Sequence, residues 1–244
     1  MADPKDPRTF FSQHHAAYVT SPRHAHGKDL DILIESLGPK PGAAALDVAT
    51  GGGHTALRMA GAGAQVTVAD ITPEMLQDTQ RQAEERGMHV KAVIANAEAL
   101  PFADGTFDLV SCRRAPHHFH DIGAFLSEAR RVLSSSGRLG ISDMTGSAAG
   151  INWLNQLERL RDPSHNEALA IDAWYYQLVL AGFKDISLQI IEEYMPFEEW
   201  LTPVMPTSVE GKEALQFLSQ PDAPWEFVRG SQFVKRRLIA VAYR

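Results

Sequence analysis

The stretch AALDVATGGGHTALRMAGAGAQVTVAD, residues 44–70, decides the fold. An apolar run ends in three consecutive glycines, a short helical pattern follows, and a second apolar run ends in Asp70. This order of strand, glycine turn, helix, strand and acid is typical of half of a nucleotide-binding βαβ unit. Glycines let the backbone approach a ligand closely, and the helix that begins near His54 directs free N–H groups into the same space. Asp70 is then placed to accept hydrogen bonds from both hydroxyls of a ribose.

Composition limits the classes of protein that this chain represents. It has 244 residues, of which 44% are apolar, and a net charge of −7. A chain of this size and apolar content is expected to fold as one domain with a substantial core. The acidic balance and the lack of a long basic run argue against nucleic acid as a partner. Cys112 is the only cysteine, which excludes an intramolecular disulfide and a multi-cysteine zinc site and favours a reducing compartment.

Patterns that direct a chain to or into a membrane are missing from the sequence. The first ten residues, MADPKDPRTF, are polar, and no apolar run approaches the ~20 residues that a membrane helix needs. We therefore expect a cytoplasmic protein with no membrane partner, either a monomer or a homodimer.

Strand and helix patterns alternate along the middle of the chain. Apolar runs at 90–95, 107–112 and 138–142 predict the third, fourth and fifth strands, with helices between them. Such alternation is typical of an α/β fold with a parallel sheet covered by helices on both faces. A helix is predicted over 167–181, and two later strands are predicted at 184–194 and 233–243. The predicted single domain, 1–244, thus divides into N-terminal helices (1–42), a cofactor-binding core (43–144), substrate-side helices with a strand and a cap (145–232), and a last strand (233–244).

Two segments flank the core and predict covers for a binding site. Helical patterns at 9–19 and 28–37 predict an N-terminal helical lid, with Tyr18 near the mouth of the cofactor site. Five prolines between residues 195 and 224 interrupt short amphipathic pieces, which we interpret as an inserted cap before the last strand. This cap favours a small-molecule acceptor over a protein or a nucleic acid. Three tryptophans either line an acceptor pocket or pack in the core, and their helical spacing favours the core: Trp153, Trp174 and Trp200.

The nucleotide that this core binds is narrowed by two features. The spacing of Gly51, Gly53 and Ala56 satisfies the dinucleotide pattern G-x-G-x-x-G/A, which alone is weak evidence. The polar segment 96–98, Asn-Ala-Glu, follows the third strand, where a side chain and a backbone N–H can meet an adenine edge. Residues 100–108 then lead directly into strand four and leave no obvious second mononucleotide half for a nicotinamide. The pattern therefore favours S-adenosylmethionine, and an NAD-dependent oxidoreductase is the alternative.

Five ordered segments of the sequence resemble class I S-adenosylmethionine-dependent methyltransferases. The segments are LDVATGGGH (46–54), VTVADITPEML (66–76), NAEALPFADGTFDLV (96–110), the loop RRAPHHF (113–119) and RRVLSSSGRLGISD (130–143). They are most similar to the small-molecule group that includes ubiquinone- and menaquinone-type C-methyltransferases. The resemblance implies a Rossmann-like, seven-stranded sheet whose last strand, 233–243, is antiparallel. It also implies S-adenosylmethionine as cofactor and a small organic acceptor.

The same resemblance implies roles for individual residues. Asp47 and the loop 51–53 would hold the methionine part of the cofactor, Asp70 the ribose, and Ala97 and Glu98 the surroundings of the adenine. Arg113 would line the cofactor beside the sulfonium. The family often has Asp where this chain has Asn96, whose amide oxygen still accepts a hydrogen bond from the adenine amino group. The full expected set of cofactor-binding residues is Tyr18, Asp47, Ala49, Thr50, Gly51, Gly53, His54, Asp70, Ile71, Met75, Asn96, Ala97, Glu98 and Arg113.

Methyl transfer leaves a neutral thioether, so catalysis consists mainly of positioning the acceptor and, where needed, removing its proton. Histidine has the ordinary pKa best suited to that proton transfer. Six candidates for the base are His117, His118, His120, Asp143, Asp162 and His165. We expect His117 or His118, because the loop after strand four faces the methyl group in this fold.

Structural alternatives remain for each of these groups. Any one of the histidines can instead pack in its loop or cap the next helix. Arg161, Asp162 and His165 either contact an anionic substrate or cap and pair locally, and we favour the local role. No metal site is expected, because spacing fixes no acidic or cysteine partner for the histidines. A protein that binds the cofactor without transferring a methyl group is a further alternative.

Overall fold

A sheet of eight strands runs through the computed structural model, which describes residues 7–19, 25–202 and 204–244. The strands are β1 (Ala44–Val48), β2 (Gln65–Asp70), β3 (Val90–Ile94), β4 (Phe107–Arg113), β5 (Leu133–Met144), β6 (Lys184–Pro196), β7 (Val228–Arg229) and β8 (Gln232–Tyr243). Their order across the sheet is β3-β2-β1-β4-β5-β8-β6, and the short β7 pairs with β8. Strands β1 to β5 pair in parallel, whereas β8 runs antiparallel to both β5 and β6. This confirms the predicted α/β sheet with its antiparallel last strand, and β7 adds a short eighth strand to the seven expected.

Helices cover both faces of the sheet, as predicted. They are α1 (Pro7–Val19), α2 (Lys28–Leu37), α3 (His54–Gly61), α4 (Pro73–Glu85), α5 (Ile122–Val132), α6 (Ile151–Arg161), α7 (Ile171–Leu180), α8 (Phe197–Leu201) and α9 (Val209–Leu218). Apolar residues of α2, α3 and α4 pack on one face, and those of α5 and α7 pack on the other. The described residues contain no helix with the length and apolar character needed to cross a membrane.

The predicted cap packs on α6 rather than standing free. Helices α8 and α9 join α6 and the start of β8 in a third hydrophobic cluster. Trp200 is buried there, and its indole N–H donates to Glu158 at 3.2 Å. Trp153 stacks on Phe227 in the same cluster, and Trp174 is fully buried on the α5 face of the sheet. These contacts support the core interpretation of the three tryptophans.

One helix begins later than its pattern predicts. The sequence predicts a helix over 167–181, whereas α7 begins at Ile171. The preceding residues are held extended because their backbone N–H groups bond elsewhere. The N–H of Glu167 donates to the carbonyl of His117 at 3.0 Å, and that of Ala168 donates to the Asn155 amide oxygen at 2.7 Å. Tertiary hydrogen bonds thus override helical propensity at this position.

Candidate active site

The carboxyl ends of β1, β2, β3 and β4 surround a cavity of about 580 Å³. This volume lies within the range of ordinary small-molecule pockets. The cavity is lined by most of the predicted cofactor residues and by one of the two predicted bases: Ala49, Thr50, Gly51, His54, Asp70, Ile71, Met75, Asn96, Ala97, Glu98, Arg113 and His118. Asp47, Gly53 and His117 lie behind its wall. Tyr18 belongs to α1, but its side chain lies outside the described residues.

The glycine loop needs its glycines for two different reasons. Gly53 has a φ of 76°, and a Cβ there would lie 2.5 Å from the Thr79 methyl carbon, so no larger residue fits. Gly51 has a φ of 51°, but a Cβ there would meet nothing within 4 Å. Side chains of helix α4 also hold the loop through hydrogen bonds to the loop carbonyls. Thr79 donates to the carbonyl oxygen of Gly51 at 3.1 Å, and Gln82 donates to that of Gly52 at 2.9 Å. The loop is therefore fixed from behind and open toward the cavity.

Asp47 supports the loop rather than lining the cavity. Its two carboxylate oxygens accept hydrogen bonds from the hydroxyls of Thr50 at 2.7 Å and Ser111 at 2.6 Å. Burial raises the pKa of Asp47 to about 6, although both hydroxyls act in the opposite direction. The predicted contact with the cofactor thus becomes an indirect one, through the loop that Asp47 holds.

Asp70 closes β2 and shapes the cavity floor. One oxygen accepts from the Gly51 N–H at 3.0 Å, and the other accepts from the Thr72 N–H at 2.9 Å. Burial raises the pKa of Asp70, against the effect of these backbone N–H groups. A carboxylate has about four lone-pair sites, so roughly two remain for a ligand.

The polar segment after β3 is tied to the loop after β4. The Asn96 amide oxygen accepts from the Glu98 N–H at 3.0 Å. Glu98 in turn accepts from the N–H groups of His120 at 2.7 Å and Asp121 at 3.1 Å. The Asn96 oxygen that is predicted to face an adenine edge thus already has one local partner, and Ala97 lies beside it on the cavity wall.

Arg113 lies on the cavity wall with its charge already paired. Both Arg113 and Arg114 donate two N–H groups each to Asp29, at distances of 2.6 to 3.0 Å. Burial acts to raise the pKa of Asp29, but Arg237, Arg113 and Arg114 outweigh it and hold that pKa far below its usual range. The charge of Arg113, which the sequence predicts beside a sulfonium, is thus already neutralised by Asp29.

Asp29 is not among the residues predicted from the sequence. Its partners lie more than 80 residues further along the chain, so no local motif contains the site. A signal was nevertheless present. Asp29 precedes Leu33 and Leu37 at spacings of four and eight residues, which places an acid on the buried stripe of α2.

His118 is the predicted base that reaches the cavity. Its Nδ1 lies 3.0 Å from the carbonyl oxygen of Ser164, and because a carbonyl only accepts, Nδ1 carries the proton. The neutral ring then keeps a lone pair on Nε2. Burial, together with the neighbouring His117, lowers the pKa of His118 to about 4, so the ring is neutral at neutral pH.

His117 is directed away from the cavity by Asp143. Its Nδ1 lies 2.5 Å from one oxygen of that carboxylate, and its backbone N–H donates to the other at 2.8 Å. Burial acts to raise the pKa of Asp143, but His117 outweighs it and lowers that pKa. Of the two predicted bases, His118 therefore lines the cavity, and His117 packs 4.1 Å behind it between ring centres.

The segment 161–165 is satisfied locally. Arg161 pairs with Glu158 at 2.6 Å, and Asp162 accepts from the Ser164 N–H at 2.9 Å and hydroxyl at 2.6 Å. His165 contacts the Asn155 oxygen at 2.8 Å, and burial lowers its pKa to about 3. These contacts support the local role favoured from the sequence. Across the described ranges no group of three or more His, Cys, Asp or Glu residues is arranged to hold a metal ion.

Comparisons with known proteins bear on this site. The family described as "Methyltransferase domain" matches residues 46–141. The uncharacterised methyltransferase YcgJ of Bacillus subtilis (strain 168) is 34% identical over 199 residues, which cover 79% of this chain and 78% of YcgJ. The demethylmenaquinone methyltransferase of Thermus thermophilus is 45% identical over 96 residues, 38% of this chain and 44% of that protein. A crystal structure assigned to a methyltransferase of Bacillus halodurans C-125 superposes with a TM-score of 0.81 at 31% identity, covering 89% of this chain and 99% of that one.

Proposed function

The chain belongs to the methyltransferase family, and from this membership we propose that it transfers the methyl group of S-adenosylmethionine to a small organic acceptor. One observation carries the proposal: a single cavity joins the glycine loop and Asp70 at one end to His118 and the paired arginines at the other. A group held by the first end thus faces a base at the second. In this proposal residues 43–144 hold the cofactor and 145–232 enclose the acceptor.

The residues present fit this cofactor. Gly51 leaves open space beside Asp70, because a Cβ there would contact nothing within 4 Å. Asp70 retains lone pairs for ribose hydroxyls, and residues 96–98 offer an amide and a backbone N–H to an adenine edge. When bound, S-adenosylmethionine supplies a methyl group whose leaving thioether is neutral.

The chain's own contribution at the other end is to position the acceptor and accept its proton. The Nε2 lone pair of His118 takes the proton, while the Ser164 carbonyl fixes the ring and its tautomer. Ser164 is itself held, since its hydroxyl donates to Asp162 at 2.6 Å. Ser164 and Asp162 are therefore positioning residues for the base.

Titration calorimetry with S-adenosylmethionine, S-adenosylhomocysteine and NAD tests the cofactor assignment. We expect binding of the first two at about micromolar Kd and none of NAD. The variants Asp70→Ala and Asp70→Asn weaken that binding by about 100-fold or more, and Asp70→Asn keeps one oxygen for the loop N–H groups. Asp104→Ala, which removes an exposed acid, is the matched control and leaves binding unchanged. Normal binding by Asp70→Ala overturns the site assignment, and binding of NAD alone overturns the proposed function.

Turnover separates a transferase from a protein that only binds the cofactor. Purified protein is incubated with S-adenosylmethionine and a fractionated small-molecule extract, and S-adenosylhomocysteine is measured. Formation that depends on the extract and is lost in Asp70→Ala supports methyl transfer. Binding without any turnover across the fractions supports the non-methylating alternative.

A further inference from the structure

A cluster of buried charges adjoins the cavity beyond the wall formed by Arg113 and Arg114. We call it the basic cluster, and it contains four cations and two acids: Arg113, Arg114, Lys235, Arg237, Asp29 and Glu193. The side chains of the three arginines are 4% to 7% exposed, and Asp29 is fully buried. Cations buried to this degree are costly unless each one is paired.

The two acids of the basic cluster are already shared among the arginines. Asp29 holds both Arg113 and Arg114. Glu193 lies 3.4 Å from Arg237 and 3.9 Å from Arg114. Among the described residues two acids are therefore shared by three arginines, and Lys235 is a fourth cation outside those pairs, so a protonated Lys235 brings the excess in the cluster to two positive charges.

The acids near Lys235 are already paired with arginines. It stands directly opposite Glu193 in the β6–β8 ladder, and it shares a face of β8 with Arg237. Glu158, the other acid that acts on it, is held by Arg161 at 2.6 Å and by the indole N–H of Trp200. No hydrogen bond or ion pair involving the Lys235 ammonium is found in the part of the chain that the structure describes.

We propose that the basic cluster binds an oxyanion of the methyl acceptor, a carboxylate or a phosphate, through the ammonium of Lys235. The inference rests on the proposed function, because it gives the acceptor of that reaction its charge. Arg113 and Arg114 line the cavity that also contains His118, and Arg114 reaches Glu193, which stands opposite Lys235 in the β6–β8 ladder, so the proposed anion site adjoins the cavity through these residues. An anionic ligand supplies the negative charge that the described residues lack.

Proton uptake distinguishes this role from a structural one. Burial lowers the pKa of Lys235 to about 7, so near neutral pH a bound anion draws a proton onto it. The groups that face Lys235 come from its own strand, from β6, from the end of β4 and from α6: Arg237, Glu193, Arg114, Glu158 and Arg161. Of these, the three arginines oppose the charged form of Lys235 and Glu158 favours it.

Calorimetry with small aromatic probes tests the anion site in the presence and absence of S-adenosylhomocysteine. Benzoate and phenyl phosphate carry the two candidate oxyanions, and benzamide is the neutral counterpart of benzoate. Each titration is repeated in buffers of different ionisation enthalpy and at pH values on both sides of 7. The variants are Lys235→Met, Lys235→Arg and, as a matched control at an exposed lysine of α9, Lys212→Met.

We expect the anion that matches the acceptor to bind with uptake of a proton near pH 7, more weakly as the pH rises, and benzamide to bind at least ~10-fold more weakly. Lys235→Met lowers the affinity by ~10-fold or more and removes the proton uptake. Lys235→Arg keeps the affinity within ~3-fold but also removes the pH dependence near 7, since an arginine stays charged. Lys212→Met changes nothing.

Three results overturn the inference. They are binding of benzamide as tight as that of both anions, unchanged anion affinity in a folded Lys235→Met, and no binding of either anion up to ~10 mM. Thermal melting of Lys235→Met with and without S-adenosylhomocysteine reports its folding separately. If S-adenosylhomocysteine does not bind the wild type but anion binding still depends on Lys235, the anion site stands and the proposed function fails.

Discussion

The two ends of the cavity differ in whether backbone groups or side chains form them. The end at the glycine loop and Asp70 is made largely of backbone, in a stretch of 27 residues, and its hydrogen bonds run within that stretch or to α4, apart from the one that Asp47 accepts from Ser111. The end at His118 is made of side chains whose partners lie 46 to 85 residues away, as between His118 and Ser164 or Arg114 and Asp29. The first end is thus fixed by local chain geometry, and the second only by the completed fold.

This difference predicts how each end fails. Damage to the backbone end acts through sterics and positive φ. Damage to the side-chain end acts through charge and proton transfer, because its buried groups depend on one another. Substitutions at the two ends are therefore expected to differ in whether they change stability, cofactor affinity or turnover.

Gly53→Ala is expected to cause the largest loss. It places a Cβ at 2.5 Å from Thr79 and forces a non-glycine residue to a φ of 76°, which destabilises the protein by about 3 kcal/mol or more and abolishes S-adenosylhomocysteine binding. Urea unfolding and calorimetry measure both effects. The control is Gly87→Ala, which has a similar φ of 67° but meets nothing within 4 Å, so it costs only about 1 kcal/mol. Equal losses at the two glycines would show that the close approach to Thr79 is unimportant.

Asp29→Asn breaks the side-chain end. It leaves Arg113 and Arg114 buried without their counter-charge, and the expected cost is about 3 kcal/mol in the free energy of unfolding. Asp31→Asn on the same helix is the matched control. Its pair with Arg58 is exposed, so the loss there is under about 0.5 kcal/mol. The charge argument fails if chemical denaturation gives the two variants the same stability.

His118→Gln separates the two ends in function. Turnover with an acceptor found in the extract screen is expected to fall by about 100-fold, because the proton acceptor is lost, while S-adenosylhomocysteine affinity changes by less than about 3-fold. His89→Gln, which changes an exposed histidine outside the cavity lining, is the control and leaves turnover unchanged. A large loss of S-adenosylhomocysteine affinity in His118→Gln alone would place His118 at the cofactor end.

The pH profile of turnover checks the same residue. The lowered pKa of His118, about 4, keeps the neutral and basic form present well below the ordinary histidine value of 6.5. Wild-type turnover should therefore persist from neutral pH down toward pH 4, and this acid limb should be missing from the residual turnover of His118→Gln. A wild-type limb near 6.5 would contradict the assignment.

Asn96→Asp is expected to have the smallest effect. It puts a carboxylate where the amide oxygen now accepts the Glu98 N–H, so the local turn is kept and an adenine amino group gains a stronger acceptor. S-adenosylhomocysteine affinity should rise by at most about 5-fold by calorimetry. Asn96→Ala, which loses the turn, should lower it. An effect as large as that of Asp70→Ala would mean that the adenine contact dominates binding.

The same contrast explains what the sequence predicted and what it did not. Strands β1 to β4 and the turn from Gly51 to Gly53 follow from local patterns, because apolar runs, glycines and a following acid lie within a few residues of one another. Which of His117 and His118 faces the cavity could not be predicted without Asp143. This residue lies at the end of β5 and forms a hydrogen bond with the His117 ring. The role of Asp29 could not be predicted for the same reason. Its arginine partners reach it only after β4 has paired with β1.

Antiparallel β8 has a consequence for synthesis. It is made after every other strand of the sheet, yet it lies between β5 and β6 and pairs with both. On the ribosome, β1 to β5 can assemble as soon as they emerge, whereas β6 must wait for β8 before it can join them. Until then the nascent chain exposes two long strand edges, at β5 and β6, and such edges invite pairing with other chains.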